Sequence, residues 1–259
     1  MPDILCETSP TGIATITLNR PEKRNVVRHA MWLELGAIAA RLATDPQVRV
    51  VLMTGAGDHF CAGADITEFE TLRRDEASAA RFDADIEAAE EAIARLSKPT
   101  IAAISGYCIG GGVGLALCCD IRIARTCSKF SIPAAKLSVL YGLRDSQALF
   151  NAVGLAQAKR IMFTADRLDA TEALRIGLVE LTTDGDVKAE ALAMATRIAA
   201  NAPLSLSGSK HVLGAIARGE TADRAGEIRD MQRRTHTSRD HHEAARAFSE
   251  RRAPIFTGR

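Results

Sequence analysis

A chain of 259 residues, 47% hydrophobic and 25% charged, has the composition of a globular protein that can bury most of its apolar surface. Its formal net charge of +1 gives no electrostatic basis for binding nucleic acid or an anionic membrane surface, so neither is an expected partner. No run reaches the ~20 apolar residues of a spanning helix. The start, MPDILCETSP, lacks the basic region and apolar stretch of a signal peptide, and a cytoplasmic protein is expected. The cysteines are Cys6, Cys61, Cys108, Cys118, Cys119 and Cys127. They form no C-x-x-C pair and no histidine completes a zinc spacing, so no metal is expected and buried, reduced thiols are the default.

Apolar alternation over Ile4–Ser9 and Ile13–Leu18, around Pro10-Thr-Gly12, predicts a β-hairpin. After the polar connector Asn19–Asn25, helical spacing of Trp32, Leu35, Ile38 and Leu42 predicts a helix ending near Asp45-Pro46. Val48–Thr54 reads as a buried strand, followed by a small-residue loop, Phe60-Cys-Ala-Gly-Ala-Asp-Ile66. Asp75–Ser97 reads as an alanine-rich helix stopped by Lys98-Pro99. Ile101–Ile104 is a strand, and Ser105-Gly-Tyr107 a turn. Ile121–Ala124 and Lys129–Ile132 are short strands, with another turn starting at Pro133. From Ser146 onward helices dominate: Gln147–Val153, Ala156–Phe163, Ala170–Ile176, Val187–Asn201, Pro203–Ala217 and a charged stretch over Thr221–Glu250. The order of elements indicates an α/β core over residues 1–200 and a helical region over 201–259 that packs on the body or on another subunit.

The chain is organised around Ile101–Asp120, IAAISGYCIGGGVGLALCCD. Three consecutive glycines before an apolar run present backbone N–H groups at a helix start, where an anion or a developing oxyanion is favoured. A glycine turn that lets a helix pack tightly on a strand accounts for the same residues. Leu115 stands where a dinucleotide fingerprint needs its last glycine, and no lysine follows for a phosphate loop.

Several motifs occur in one order along the chain: Leu18-Asn-Arg-Pro-Glu-Lys-Arg-Asn25, Phe60–Ile66, Gly106–Gly112, Cys119-Asp-Ile121, Ala173–Val179 and Arg251-Arg-Ala-Pro-Ile-Phe256. As a set they resemble the crotonase (enoyl-CoA hydratase/isomerase) superfamily, over essentially the whole length. The resemblance implies a crotonase (ClpP-like) α/β spiral of ββα units. It also implies a helical C-terminal trimerisation region and a homo-oligomer, a trimer or a hexamer. The implied ligand is an acyl-CoA thioester, with coenzyme A entering as part of the substrate and no other cofactor. By motif position, the backbone N–H groups of Ala64 and Gly111 would hold the thioester oxygen while an enolate forms. Ala62, Asp65 and Ile66 would line the adenine, with Gly110 beside the oxyanion site. Lys23 or Arg24 would approach the CoA phosphates, and Phe256 would cover CoA from a neighbouring subunit. Lys23 and Arg24 read equally as solvated loop charges.

The sequence departs from the family at its two catalytic glutamates. Gly114 occupies the position two residues after the glycine triplet, and Ala134 the one after Pro133. Neither can move a proton, and an isomerase aspartate farther along would fall on Gly142. Tyr141 resembles a tyrosine of a decarboxylating branch, where a phenol would orient a substrate carboxylate; a packing role serves as well. Asp145 could replace the missing acid, or pair with Arg144, or cap a helix. Glu68 and Glu70 read as exposed helix charges, Asp120 as structural, and His59 as a surface residue. The expected activity is therefore a lyase- or isomerase-type reaction of an acyl-CoA through a stabilised enolate. Decarboxylation using Tyr141, or acyl-CoA binding without turnover, are the alternatives.

Overall fold

The N-terminal apolar runs pair as their periodicity predicts. β1 (Ile4–Thr8) and β2 (Ile13–Leu18) form an antiparallel hairpin, with Cys6 opposite Ile16. The connector then makes a 3-10 turn at Pro21–Lys23 and enters α1 (His29–Thr44), whose buried stripe is Met31, Trp32, Leu35, Ile38, Ala39 and Leu42. β3 (Val50–Gly55) is buried at every position, the mark of a parallel strand covered on both faces. The loop beyond it leads through a 3-10 turn at Ile66–Glu68 to α2 (Phe69–Leu72) and α3 (Glu76–Ala94). The Asp75 carboxylate caps α3 by accepting from Ser78 N–H.

β4 (Thr100–Ile104) continues the parallel sheet, while β5 (Tyr107–Ile109) leaves it. The expected turn at Ser105–Tyr107 is thus shorter than the sequence suggests, since Tyr107 already pairs with Lys129. α4 (Gly111–Leu117) starts inside the glycine triplet. β6 (Ile121–Arg125), β7 (Lys129–Ser131) and a 3-10 turn at Pro133–Lys136 precede α5 (Leu143–Thr164). α5 is broken at Gly154 (φ 75°), which explains why the sequence pattern divides there. β8 (Leu168–Asp169), α6 (Ala170–Arg175), β9 (Leu181–Thr183) and α7 (Val187–Ala199) complete the body. The last region holds α8 (Pro203–Arg218), α9 (Thr221–His236) and α10 (Arg239–Ser249). The charged stretch 221–250 is two helices, not one, because Ser238 opens α10 by accepting from His241 N–H.

The computed structural model describes residues 1–259, with nine strands and ten helices. A six-stranded sheet runs β1-β2-β3-β4-β6-β9, parallel from β2 onward, and a second sheet runs β5-β7-β8. The main core lies between the sheets and α1, α3, α4 and α5, with Trp32, Phe60 and Phe130 fully enclosed. A smaller cluster of Ile13, Val50, Leu52 and Ile101 packs under Val187, Ala191 and Ala195 of α7. No helix is long and apolar enough to cross a membrane.

Asp120 joins sheet, body and C-terminal region. It accepts from Thr100 N–H (2.7 Å) and the Thr100 hydroxyl (2.9 Å), and pairs with Lys210 Nζ of α8 at 2.8 Å. The expected structural role of this aspartate is what its contacts describe. Asp120→Ala should destabilise the fold by about 1–3 kcal/mol, read as a lowered midpoint in urea unfolding.

Candidate active site

Two loops meet at one end of the sheets. Cys61 and Cys108 form a parallel bridge: Cys61 N–H donates to Tyr107 O and Ile109 N–H to Cys61 O, each at 2.9 Å. The first loop is also tied to the entry of α1, since Val27 N–H donates to Gly63 O (2.8 Å) and Asp65 N–H to Val27 O (2.9 Å). These bonds use the groups on either side of Ala64 and leave its own N–H without an acceptor in the chain. Gly111 is the first residue of α4, where N–H groups have no intrahelical partner. The two donors converge: a Cβ built on Gly111 would lie 3.5 Å from Ala64 N. Backbone geometry requires glycine on both sides of this point. Gly110 has φ 55° and ψ −119°, and a side chain on Gly112 would collide with the Cys61 carbonyl.

The convergent N–H pair opens into a cleft of about 240 Å³. Ala62, Ala64, Ile66, Gly110, Gly111 and Trp32 line its loop side. Phe69, Phe82 and Ile86 form the α2–α3 wall, and Leu137, Val139, Leu140 and Tyr141 the opposite one. Ala134, in place of the second family glutamate, also lines it and offers only a methyl group. Arg73 lies over the rings of Phe69 and Phe82, 5.2 Å from each centroid, and pairs with Asp83.

The polar groups of the cleft gather at its α3–α5 end. Glu90, only 2% exposed, projects from α3. Arg144 Nη1 reaches Glu90 Oε2 (3.3 Å) and Asp145 Oδ1 (3.0 Å), while Nη2 donates to Glu90 O and Cys118 Sγ, each at 3.1 Å. A Cβ built on Gly114 would stand 2.6 Å from Glu90 Oε1 and 3.7 Å from Asp145 Oδ1. The space emptied by the missing glutamate is therefore filled by a carboxyl from another helix. Burial pushes Glu90 well above the usual carboxylate range, and the negative charge of Asp145 and a hydrogen bond with it act in the same direction. Glu90 was not among the residues singled out from sequence. Its signal was its place on the apolar stripe of α3, in register with Phe82, Ile86, Ala89 and Ile93.

Tyr141 also faces the cleft. Its hydroxyl is buried without a hydrogen-bond partner, 3.8 Å from a Cβ built on Gly110, and burial raises its pKa. Asp145 lies in the first turn of α5 but does not cap it, since Gly142 is the N-cap; it pairs with Arg144 inside the cleft wall rather than on the surface. Two further expectations are corrected. The Glu68 carboxylate accepts from His29 N–H (2.8 Å) at the start of α1, so it is a helix partner and not a free charge. His59 is half-buried rather than freely exposed: its Nδ1 accepts from Tyr107 N–H (3.1 Å) and its ring stacks on Tyr107.

Other anticipated residues lie outside the cleft. Lys23 and Arg24 are exposed on the turn before α1, with the Arg24 guanidinium 5.5 Å from the Tyr107 ring centre. Asp65 is engaged by the Thr67 hydroxyl (2.7 Å) and Arg20 (3.0 Å), which hold its carboxyl below the usual range. Phe256 is not in the cleft of its own chain; its carbonyl accepts from Arg49. No group of three or more His, Cys, Asp or Glu side chains is arranged to hold a metal ion.

This geometry and topology coincide with a known family, whose sequence profile, enoyl-CoA hydratase/isomerase, matches residues 8–259. The chain belongs to that family. It is similar to a protein named probable enoyl-CoA hydratase from Mycobacterium leprae, 38% identical over 248 residues covering 95% of each chain. It is likewise 38% identical over 255 residues to the (E)-benzylidenesuccinyl-CoA hydratase of Thauera aromatica, covering 95% of this chain and 96% of that one. A solved enoyl-CoA hydratase/isomerase family protein from Hyphomonas neptunium superposes with a TM-score of 0.95 at 34% identity, covering 100% of this chain and 98% of its own. The fold is that of the crotonase superfamily, and the protein is an acyl-CoA enzyme of the hydratase/isomerase family.

Within that frame the cysteines nearest the site are poor nucleophiles. Burial pushes the Cys61 thiol up to about 12 and raises Cys108 strongly, whereas Cys127 is exposed. Iodoacetamide at pH 8 should modify Cys127 and leave Cys61 and Cys108 untouched, as read by peptide mass spectrometry of the native protein.

Proposed function

We propose that the chain turns over an acyl-CoA thioester through an enolate whose oxygen is held by the N–H groups of Ala64 and Gly111. The observation that supports this most directly is the convergence of two unsatisfied backbone donors at the head of an apolar cleft. Such donors are fixed before reaction and gain most as negative charge develops, so they favour the enolate over the ground-state carbonyl. The acyl chain would occupy the space between Trp32, Phe82 and Leu140. Ala62, Asp65 and Ile66 would pass beside the adenine, with Lys23 and Arg24 near the CoA phosphates. Because Phe256 lies away from its own cleft, it would cover coenzyme A in a neighbouring copy, with residues 201–259 as the oligomerisation region of a trimer or hexamer.

Substituting Gly111 by Val places a branched side chain against Ala64 N and the Trp32 ring, and should abolish turnover and weaken acyl-CoA binding at least tenfold. Unchanged affinity in isothermal titration with an acyl-CoA panel would remove the site assignment.

Tyr141 supports a second reading. An unpartnered hydroxyl in the cleft could hold a substrate carboxylate, and loss of carbon dioxide would yield the enolate without a base. If so, Tyr141→Phe should lower carbon dioxide release from malonyl-type thioesters by about a hundredfold. An unaltered rate, or no release by the wild-type protein, rejects this reading.

A further inference from the structure

The absence of carboxylates at 114 and 134 raises the question of which groups move protons at the thioester. We propose that Glu90 and Asp145 form a relocated acid–base pair sharing one proton, delivered to the vacated Gly114 space from α3 and α5 and held there by Arg144. The proposal rests on the enolate reading above and supplies its proton chemistry.

Three geometric facts support it. First, Glu90 Oε1 lies where a side chain from Gly114 would begin, and Asp145 Oδ1 borders the same point. Gly114 follows Gly111 by three residues on α4, about 4.5 Å along the helix and on the same face. A thioester whose oxygen sits at Gly111 N–H therefore presents its α and β carbons toward the pair. Second, both side chains line the cleft, although Glu90 is almost wholly buried. A buried carboxyl on a helix flank has no packing advantage over leucine or methionine, and its desolvation costs several kcal/mol if ionised. Third, one Arg144 Nη1 bridges Glu90 Oε2 and Asp145 Oδ1, fixing both carboxyls to one another and to the cleft.

Charges around Glu90 come from every neighbouring element. Glu87 and Glu91 share its helix, Cys118 caps the end of α4, Arg144 and Asp145 lie on α5, and Tyr141 lies just before α5. Arg144 faces Glu90, Asp145 and, at 3.5 Å, Glu91, so its single positive charge does not balance two ionised carboxyls in the pair, and the pair retains one proton. Burial raises Glu90 and so favours it as the member that holds the proton.

For a 2-enoyl thioester the step balances as follows. The ionised carboxyl takes a proton from water as the water oxygen bonds to Cβ. The electron pair of the Cα=Cβ bond moves into the thioester, giving an enolate at Ala64 and Gly111. The doubly protonated pair then gives one proton to Cα, leaving a 3-hydroxyacyl thioester and the pair with its original single proton. With a saturated thioester the same pair removes and returns an α-hydrogen. Arg144 is a positioning residue in both.

The test is α-hydrogen exchange in D₂O with butyryl-, octanoyl- and 3-phenylpropanoyl-CoA, followed by mass spectrometry. Wild-type protein should exchange at least one thioester, with a bell-shaped pH profile: the rate falls at low pH when the pair gains a second proton and at high pH when it loses its only one. E90Q and D145N should each lower the rate at least about a hundredfold while acyl-CoA binding, measured by titration, changes less than threefold. Exchange by E90Q at the wild-type rate overturns the pair. So does a wild-type protein that binds these thioesters but exchanges none of them. Failure of the wild-type protein to bind any acyl-CoA overturns the enolate reading itself. If E90Q does not fold, the D145N rate and the wild-type pH profile decide: an unchanged D145N rate or a flat profile overturns the proposal.

Discussion

The site depends on one close approach. Gly112 lets the start of α4 sit against the Cys61 carbonyl, and the two-bond ladder between Cys61 and β5 locks that contact. Neither loop belongs to the main sheet, yet each follows one of its central strands, β3 or β4. Both therefore inherit the rigidity of a fully buried parallel sheet. A donor pair of this kind acts only if its positions are set before the substrate arrives, and the sheet provides that setting.

The charged groups at the α3–α5 end of the cleft are held by one another. Arg144 touches Glu90, Glu91, Asp145 and Cys118, so a guanidinium with little access to water still meets acceptors on several sides. Buried polar atoms without a hydrogen-bond partner on the cleft-lining residues are the Tyr141 hydroxyl, the Trp32 indole N–H and the Nε–H groups of Arg73 and Arg144. Unsatisfied polar groups on the wall of an otherwise apolar cavity are natural contacts for a polar ligand group.

Much of the architecture was legible in the sequence. The hairpin, α1, the buried strands and the split at Gly154 follow from periodicity and punctuation. Strands β5, β8 and β9 are two or three residues long and carry no periodic signal, so only tertiary pairing reveals them. The loops bearing Ala64 and Gly111 were readable because glycine and alanine leave a pattern where backbone must be approached. Asp145 was readable as a residue but not as a position: its carboxyl enters the cleft because α5 begins at Leu143, four residues before the helix that the pattern suggests. Glu90 was hidden by composition. In EAAEEAIA it looks like one more solvated acid, although it falls on the apolar stripe of α3, and its contacts with Gly114 of α4 and Arg144 of α5 enclose it.

The crowding around Gly114 also constrains how such a site can change over generations. The volume directly beside Gly114 is already occupied by the Glu90 carboxyl from α3, with Asp145 at its border, and leaves no room for a further side chain on α4. A glutamate gained at 114 while Glu90 remains would collide with the Glu90 carboxyl beside Asp145, and loss of Glu90 alone would leave a void next to Gly114. Residues 90 and 114 therefore share one volume, and a side chain added at 114 is accommodated only if Glu90 gives way.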